Sequence, residues 1–259
     1  MYDHILFDVQ DDVAFIRLND PASLNAMSTA MGKELVEALG RSAREARAVV
    51  LGSVGRAFCS GANLAGGAFK VDDPERDAGL PLEVAINPFL RCLSKLQVPI
   101  VTAVRGPAAG VGCGLALAGD LIVTGESAYF FQAFSGVGLS PDGGSTYLLT
   151  RAIGRVRAIE LMLLGTKLPA DRALEWGLVN RVVPDEHVDQ TALELARRLA
   201  AGPKSLGIIR SAVWEALDAS FEVALEIERR AQRDAGRTDD FLEGLAAFRE
   251  KRKPQFNGR

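Results

Sequence analysis

The chain has 259 residues, of which 48% are hydrophobic and 24% are charged, proportions typical of soluble globular proteins. Such a chain can bury a large core, and the composition excludes wholesale disorder. The formal net charge of -3 argues against a dedicated nucleic-acid-binding protein, because such proteins usually carry a basic excess.

Histidine and cysteine are scarce, with two and three residues respectively. They show no metal-ligand spacing, so we expect no metal site. The odd number of cysteines forms no disulfide framework, which favours a reducing, cytoplasmic location. No signal peptide is recognisable at the N-terminus. The longest apolar stretch, residues 106–119, is too short for a membrane-spanning helix, so no membrane partner is expected.

The first half of the chain alternates strand and helix patterns. ILFDVQ and VAFIRL alternate apolar and polar residues around Asp11 and Asp12, which predicts a hairpin. Apolar positions at helical spacing then predict a helix over 29–46. The short β-branched runs AVVLGSV, VPIVTAV and LIVT indicate buried strands. Strands of this kind, separated by helices, predict an α/β fold with crossover connections and a repeated strand–loop–helix unit.

The last quarter of the chain is predicted to be helical. Four helices are expected, over residues 189–200, 204–217, 221–235 and 239–253, with Thr238 as the N-cap of the last. We therefore divide the chain into a core region, 1–195, and a C-terminal helical region, 196–259. An apolar stripe on the last helix, formed by Phe241, Leu245 and Phe248, needs a surface to pack on.

Two glycine-containing loops follow buried strands. One contains Gly61-Ala62-Asn63, and the other contains Gly110, Gly112 and Gly114 at the start of a helix. Glycine lets the backbone approach a ligand closely, and the first amides of a helix have no intrahelical partner. Together the two loops predict a pocket in which backbone N–H groups meet an oxyanion. The alternative is that these glycines only allow helix and strand to pack closely.

Six stretches in order resemble the enoyl-CoA hydratase/isomerase (crotonase) superfamily along nearly the whole chain. They are RLNDPASLNAMS, GRAFCSGANL, VPIVTAVRGPAAGVGCGLALAGDLIV, GLSPDGGSTYLLTRAIG, LPADRALEWGLVNRVVP and AFREKRKPQF. The resemblance implies an α/β fold built as a crotonase-like spiral of ββα turns, with a C-terminal helical trimerisation region. It also implies a homotrimer or a dimer of trimers.

The same resemblance implies an acyl-CoA thioester as substrate, with coenzyme A entering as part of it and no separate cofactor. The amides of Ala62 and Val111 match the positions that hold the thioester oxygen. The other implied acyl-CoA-binding residues are Ser23, Leu24, Ala26, Ser60, Asn63, Leu64, Gly110, Phe134, Phe248 and Lys251. The family usually has Asp where this chain has Asn63. For Lys251 the alternative is a solvated helix end.

Hydratases of the superfamily use two glutamates, and this chain has Gly114 and Phe134 at those positions. Neither residue can transfer a proton. Asp142 matches the single acidic residue of the superfamily's double-bond isomerases, and one carboxylate suffices to move a proton along an acyl chain. We expect nearby phenylalanines to raise its pKa above the usual ~3.9. The alternative role for Asp142 is to cap the next helix.

The predicted function is a shift of a double bond from the 3- to the 2-enoyl position, or its equivalent in a ring-bearing acyl group. Three alternatives stay open: a 2-enoyl-CoA hydratase with an atypical acid, a non-catalytic acyl-CoA-binding protein, and a nucleophilic role for Asp142 as in aromatic dehalogenases. Cys59 and Cys113, which flank the two loops, are interpreted as small core residues. The segment 80–88 is predicted to border the acyl pocket.

Overall fold

The computed structural model describes residues 2–63 and 73–259. A hairpin of β1 (Ile5–Gln10) and β2 (Val13–Leu18) opens the fold, and its antiparallel register pairs Ile5 with Leu18. Asp11 and Asp12 turn the chain with φ of 50° and 60°. Positive φ at both central residues matches the twist of a two-residue hairpin. The predicted hairpin is therefore found at its predicted place.

Parallel strands extend the main sheet from the hairpin. They are β3 (Ala48–Ser53), β4 (Ile100–Val104), β6 (Leu121–Gly125) and β9 (Arg181–Val183), in the order β1-β2-β3-β4-β6-β9. A second sheet has the order β5-β7-β8, with β5 (Pro107–Ala109), β7 (Tyr129–Phe131) and β8 (Lys167–Pro169). Strand β4 is followed by β5, and β6 by β7, so the chain visits both sheets in each turn.

Helices complete each turn and cover both faces of the main sheet. In chain order they are α1 (Thr29–Glu45), α2 (Asn87–Lys95), α3 (Val111–Leu117), α4 (Ser145–Leu164), α5 (Ala170–Glu175), α6 (Val188–Ala200), α7 (Ser205–Ala216), α8 (Phe221–Ala235) and α9 (Asp239–Glu250). The unit of main-sheet strand, short strand and helix repeats as β4-β5-α3 and β6-β7-α4. The predicted α/β fold with a repeated unit is confirmed.

A π-helical turn, Leu82–Ile86, leads directly into α2. The amide of Asn87 donates to the carbonyl of Leu82, five residues earlier. Pro88 follows and has no N–H to offer an earlier carbonyl. This proline accounts for a wide turn in place of a regular α-helical one.

The C-terminal helices lie close to their predicted ranges, with Thr238 capping α9 by accepting a hydrogen bond from the amide of Phe241. Helix α9 ends at Glu250, earlier than predicted, because Lys251 adopts a left-handed conformation with φ of 55°. The predicted boundary between 195 and 196 falls inside α6. That helix packs on the main sheet through Val188, Ala192, Ala196 and Ala200, so the division into two regions stays a prediction.

Within the described ranges, every helix is too short or too polar to cross a lipid bilayer. The cytoplasmic location stays a prediction.

Candidate active site

The two glycine-containing loops lie side by side. The amide of Cys59 donates to the carbonyl of Pro107 at 3.1 Å, and the amide of Ala109 donates to the carbonyl of Cys59 at 2.9 Å. A Cβ atom added to Gly110 would lie 3.5 Å from the Cα of Gly61. Gly61 and Gly110 both have positive φ, 115° and 52°, which glycine adopts without a steric penalty. The glycines therefore serve close packing and also bring the next residues, Ala62 and Val111, together.

The backbone amides of Ala62 and Val111 have unused hydrogen-bonding capacity within the described part of the chain. Val111 begins α3, so its N–H has no partner within the helix. Among the described residues, neither amide donates a hydrogen bond. The loop around Ala62 is held on both sides by Met27, whose amide donates to Gly61 and whose carbonyl accepts from Asn63. Two such amides, one of them at the N-terminus of α3, are the kind of donors that can stabilise a developing oxyanion.

Asp142 faces a cavity of about 280 Å³ that Ala62 and Asn63 also line. Its Oδ1 atom is buried and has no hydrogen-bond partner among the described residues. Burial raises the pKa of Asp142 to about 6, because the apolar surroundings disfavour the charged form. The carboxyl does not cap α4, where Gly144 is the N-cap residue. The side chain is therefore left available to a ligand in the cavity.

The rest of the cavity wall is mostly apolar. Sequence reasoning did not name most of these residues. They come from the start of α1 and the residues just before it, from the π-helical turn and the residues just before it, and from the loop before Asp142: Met27, Ser28, Thr29, Ala30, Ala78, Pro81, Leu82, Ala85, Ile86 and Leu139. The predicted border segment 80–88 supplies four of them. The apolar character of that segment was the signal available in the sequence. The residues of α1 had no such signal, because only the fold shows that α1 faces this segment.

The loop that contains Ser23 and Leu24 is tied to the first glycine loop. Ser60 donates its amide to the carbonyl of Leu24 at 3.0 Å and its hydroxyl to the carbonyl of Ser23 at 3.0 Å. Asn25 is fully buried and donates to the carbonyls of Val54 and Ala57. Asn25 is a supporting residue that sequence reasoning missed, although its place in a Pro/Asn-rich break was a signal.

Of the predicted site residues that the structure describes, Ala62, Asn63 and Asp142 line this cavity. The others are not among its lining residues: Ser23, Leu24, Ala26, Ser60, Gly110, Val111, Phe134, Phe248 and Lys251. Phe134 is buried, with its ring close to Gly110. Phe248 is 83% exposed and borders a groove between α7, α8 and α9. Lys251 is an exposed residue at the end of α9. Leu64 lies outside the described residues.

The flanking cysteines are buried, and burial raises the pKa of Cys59 to about 11 and that of Cys113 to about 12. Both thiols therefore stay protonated at neutral pH, as small core residues do. In the described part of the chain, no three His, Cys, Asp or Glu side chains come together in a metal-binding arrangement.

Comparison with known proteins identifies the family. The family model for enoyl-CoA hydratase/isomerase matches residues 8–259. The chain belongs to the enoyl-CoA hydratase/isomerase family. It is 42% identical over 262 residues to a 1,2-epoxyphenylacetyl-CoA isomerase of Escherichia coli, covering 100% of both chains. It is 31% identical to a trans-2-decenoyl-[acyl-carrier-protein] isomerase of Streptococcus mutans, covering 100% of this chain and 99% of the relative.

Solved structures confirm the crotonase fold of this family member. The enoyl-CoA hydratase of Bacillus anthracis superimposes with a TM-score of 0.92 at 30% identity, covering 99% of this chain and 100% of that one. The resemblance stated from the motifs is thus confirmed, and the protein is an acyl-CoA-processing enzyme of the family. The reaction subtype depends on which acidic side chains the site contains.

Gly114 stands where hydratases of the superfamily have one of their two glutamates, and the backbone of Gly143 occupies the space of that side chain. A Cβ atom at 114 would overlap the carbonyl oxygen of Gly143 and lie 2.7 Å from its carbonyl carbon. A glutamate at this position therefore has no room unless the 142–144 loop moves. The other hydratase position holds the buried ring of Phe134. Neither position of this family member supplies an acid.

Proposed function

We propose that this family member moves a double bond in an enoyl thioester. The observation that carries the proposal is the carboxyl of Asp142, whose buried Oδ1 has no hydrogen-bond partner among the described residues and which lines the same cavity as Ala62. Ala62 and Val111 contribute two amides for the thioester oxygen, and Asp142 contributes a base. The isomerase names of two relatives support the same reaction type.

The proposed reaction is a 1,3-proton shift. In a 3-enoyl thioester, the Asp142 carboxylate removes a proton from C2. The electrons of that C–H bond form a C1=C2 bond as the carbonyl π electrons move to the thioester oxygen, and the C2=C3 bond forms in the next step, when the carbonyl is restored and C4 takes up the proton. The amides of Ala62 and Val111 stabilise the resulting dienolate. The carboxyl then returns the proton to C4, which gives the conjugated 2-enoyl thioester. No cofactor is needed, because the proton stays within the substrate and one side chain.

The raised pKa of Asp142 suits this role. A base is most efficient when its pKa lies close to the working pH, and a pKa of about 6 satisfies this while keeping the group ionised at neutral pH. We therefore expect kcat/KM to fall as the pH drops below about 6, because the carboxylate becomes protonated. The apolar wall of the cavity accommodates the acyl group, and Ser23, Leu24, Ala26 and Ser60 are the proposed contacts for coenzyme A.

The test is a paired assay of wild type and Asp142→Asn. With a 3-enoyl-CoA, wild type is expected to form the ultraviolet-absorbing 2-enoyl thioester, and the variant is expected to lose at least about 100-fold in kcat. Asp171→Asn removes an exposed carboxylate of α5 and serves as the matched control with unchanged turnover. Turnover retained by Asp142→Asn would overturn the mechanism. Loss of a 2-enoyl-CoA without isomerisation would favour hydration, and silence with both substrates would favour a binding protein.

We further propose that the protein assembles as a homotrimer or a dimer of trimers. Val156, Ile159 and Leu163 form an exposed apolar face on α4. The exposed Phe248 and Lys251, which lie apart from the Asp142 cavity, then have their proposed role towards coenzyme A at the site of a neighbouring subunit. Large exposed apolar faces of this kind mark interaction surfaces.

A further inference from the structure

The loop that contains Asp142 rests on the first turns of α3. The carbonyl group of Gly143 occupies the space that a side chain at Gly114 would fill. In the opposite direction, a Cβ atom at Gly143 would lie 3.0 Å from both the Cα and the Cγ2 of Val111. Each glycine therefore allows the loop and the helix to approach, and Val111 is the residue whose amide is the proposed oxyanion donor.

Few hydrogen bonds hold this loop. Over residues 140–143, the single hydrogen bond to another described residue is the one that the Asp142 carbonyl accepts from the amide of Ser145 at 3.0 Å. Gly143 has a φ of 62°, which a residue with a side chain adopts only at a cost. The position of the loop is thus set by its contact with α3, where hydrogen bonds within the helix keep the partner surface rigid.

We propose that Gly114 is a positioning residue: its missing side chain lets the 142–144 loop settle on α3 and holds Asp142 at a fixed place relative to the amide of Val111. This inference rests on the proposed isomerase function. It relates the absence of a side chain at 114 to the placement of the carboxyl at 142. A side chain at 114 displaces the loop, because the loop is less well held than the helix.

The main test is Gly114→Ala. The added Cβ overlaps the carbonyl of Gly143, so the loop has to shift, and a displacement of about 1 Å in a catalytic group lowers turnover about 100-fold. We expect kcat to fall by that factor with KM within about threefold of wild type, since the amides and the coenzyme A loop are untouched. Gly40→Ala is the matched control, because a Cβ at Gly40 meets only the Arg44 side chain at 3.8 Å.

A double-mutant cycle separates positioning from general damage. If Gly114 acts through Asp142, Gly114→Ala has little further effect on the residual activity of Asp142→Asn. A full additional 100-fold loss in that background would overturn the proposal. Wild-type kcat in Gly114→Ala would overturn it as well.

A readout without turnover distinguishes this inference from the proposed function. Carbon-13 NMR titration of the Asp142 carboxyl is expected to give a pKa of about 6 in wild type and a lower value in Gly114→Ala, as the displaced loop becomes hydrated. The other described residues that line the cavity do not ionise, and the Cys59 thiol stays neutral because its pKa is about 11. If the pKa of Asp142 is the same in Gly114→Ala as in wild type, the inference is wrong. If that pKa is lower in Gly114→Ala but the wild-type protein has no isomerase activity, only the proposed function is wrong.

Gly143→Ala is the second variant if Gly114→Ala does not fold. Its Cβ meets Val111 at 3.0 Å, a milder overlap from the other side of the same contact. We expect the same pattern, with lower kcat, unchanged KM and a lower pKa for Asp142. Wild-type kcat and an unchanged titration in this variant would contradict the proposal.

Discussion

Asp142 reduces the stability of the fold at neutral pH, where its proposed role is that of a base. Its carboxyl has no hydrogen-bond partner among the described residues, and burial raises its pKa to about 6. In the unfolded chain the same group has a pKa of ~3.9. As the pH rises from ~4 to ~6, the unfolded state loses the proton first, so the free energy of unfolding falls. The same burial that raises the pKa of Asp142 therefore lowers the free energy of unfolding at neutral pH.

We predict that Asp142→Asn is more stable than wild type at pH 8. The amide carries no charge to desolvate, so the melting temperature is expected to rise by about 2 °C or more. The difference is expected to close near pH ~3, below both pKa values, where wild-type Asp142 is protonated in the folded and the unfolded state. Calorimetric melting at the two pH values measures this, with Asp171→Asn as control. A lower melting temperature for Asp142→Asn at pH 8 would show that the carboxylate is stabilised in the folded state.

At the scale of elements, one arginine joins α7 to the end of α2. The guanidinium of Arg210 donates to the carbonyls of Leu93, Ser94 and Leu96 and to Oδ2 of Asp120. Its side chain is only 3% exposed. The last carbonyls of a helix have no intrahelical partner, so Arg210 satisfies the C-terminus of α2 from another helix.

We predict that Arg210→Ala lowers the free energy of unfolding by about 3 kcal/mol, because it removes the donor to three carbonyls and the charged partner of Asp120, which is left with the amide of Ile100. Burial raises the pKa of Asp120, and the charge of Arg210 opposes this effect. The loss is therefore expected to be larger at pH 8 than at pH 5, where an unpaired Asp120 can be neutralised by protonation. Urea unfolding at both pH values tests this. Equal losses at both would contradict the role assigned to Asp120.

Helix α4 contains a kink at Gly154, where φ is 79° and ψ is 157°. This backbone region is essentially restricted to glycine. A Cβ atom at Gly154 would meet no other atom within 4 Å, so any cost of substitution comes from the backbone alone.

We predict that Gly154→Ala destabilises the protein by about 1–3 kcal/mol. Gly40→Ala, inside the regular helix α1, is expected to stabilise it by roughly 0.5–1 kcal/mol. Chemical denaturation of both variants measures the contrast. A neutral Gly154→Ala would mean that the kink straightens without cost.

At the scale of the whole molecule, one surface of the single chain is unusually apolar. Val156 and Leu163 on α4 are 71% and 68% exposed. With Ile159 they share a helix face, since residues three and four apart are neighbours. A further apolar stripe lies on α9, where Phe248 is exposed.

We predict that the wild-type protein is a trimer or hexamer by light scattering. The double variant Val156→Glu/Leu163→Glu is expected to dissociate while keeping its helical circular dichroism, because both residues point away from the core. A second double variant, Val213→Glu/Leu217→Glu, changes two exposed residues at the end of α7. Its oligomeric state shows whether the surface of α7 also takes part in assembly. A monomeric wild type would contradict the assembly proposal.

Local patterns predicted the regular elements well. The alternation in ILFDVQ and VAFIRL correctly predicted the hairpin, and the caps and periodicity of the last four segments correctly predicted α6 to α9. Strands β5, β7, β8 and β9 were not predicted, because each has three residues, too few for a period to show. Their pairing depends on partners distant in the chain.

The residues of the candidate site were also predicted only in part. Motifs placed Ala62, Val111 and Asp142 in a site, and their catalytic roles stay predictions. No pattern indicated that Gly143 fills the space beside Gly114, or that Asn25 holds its loop, since these contacts join residues about 30 positions apart. Residue types along the chain therefore determined the family, the strands and helices, and the kinds of group available. Only the tertiary structure decided which of them meet, and how dry the carboxyl of Asp142 is, because burial is a property of the packed molecule.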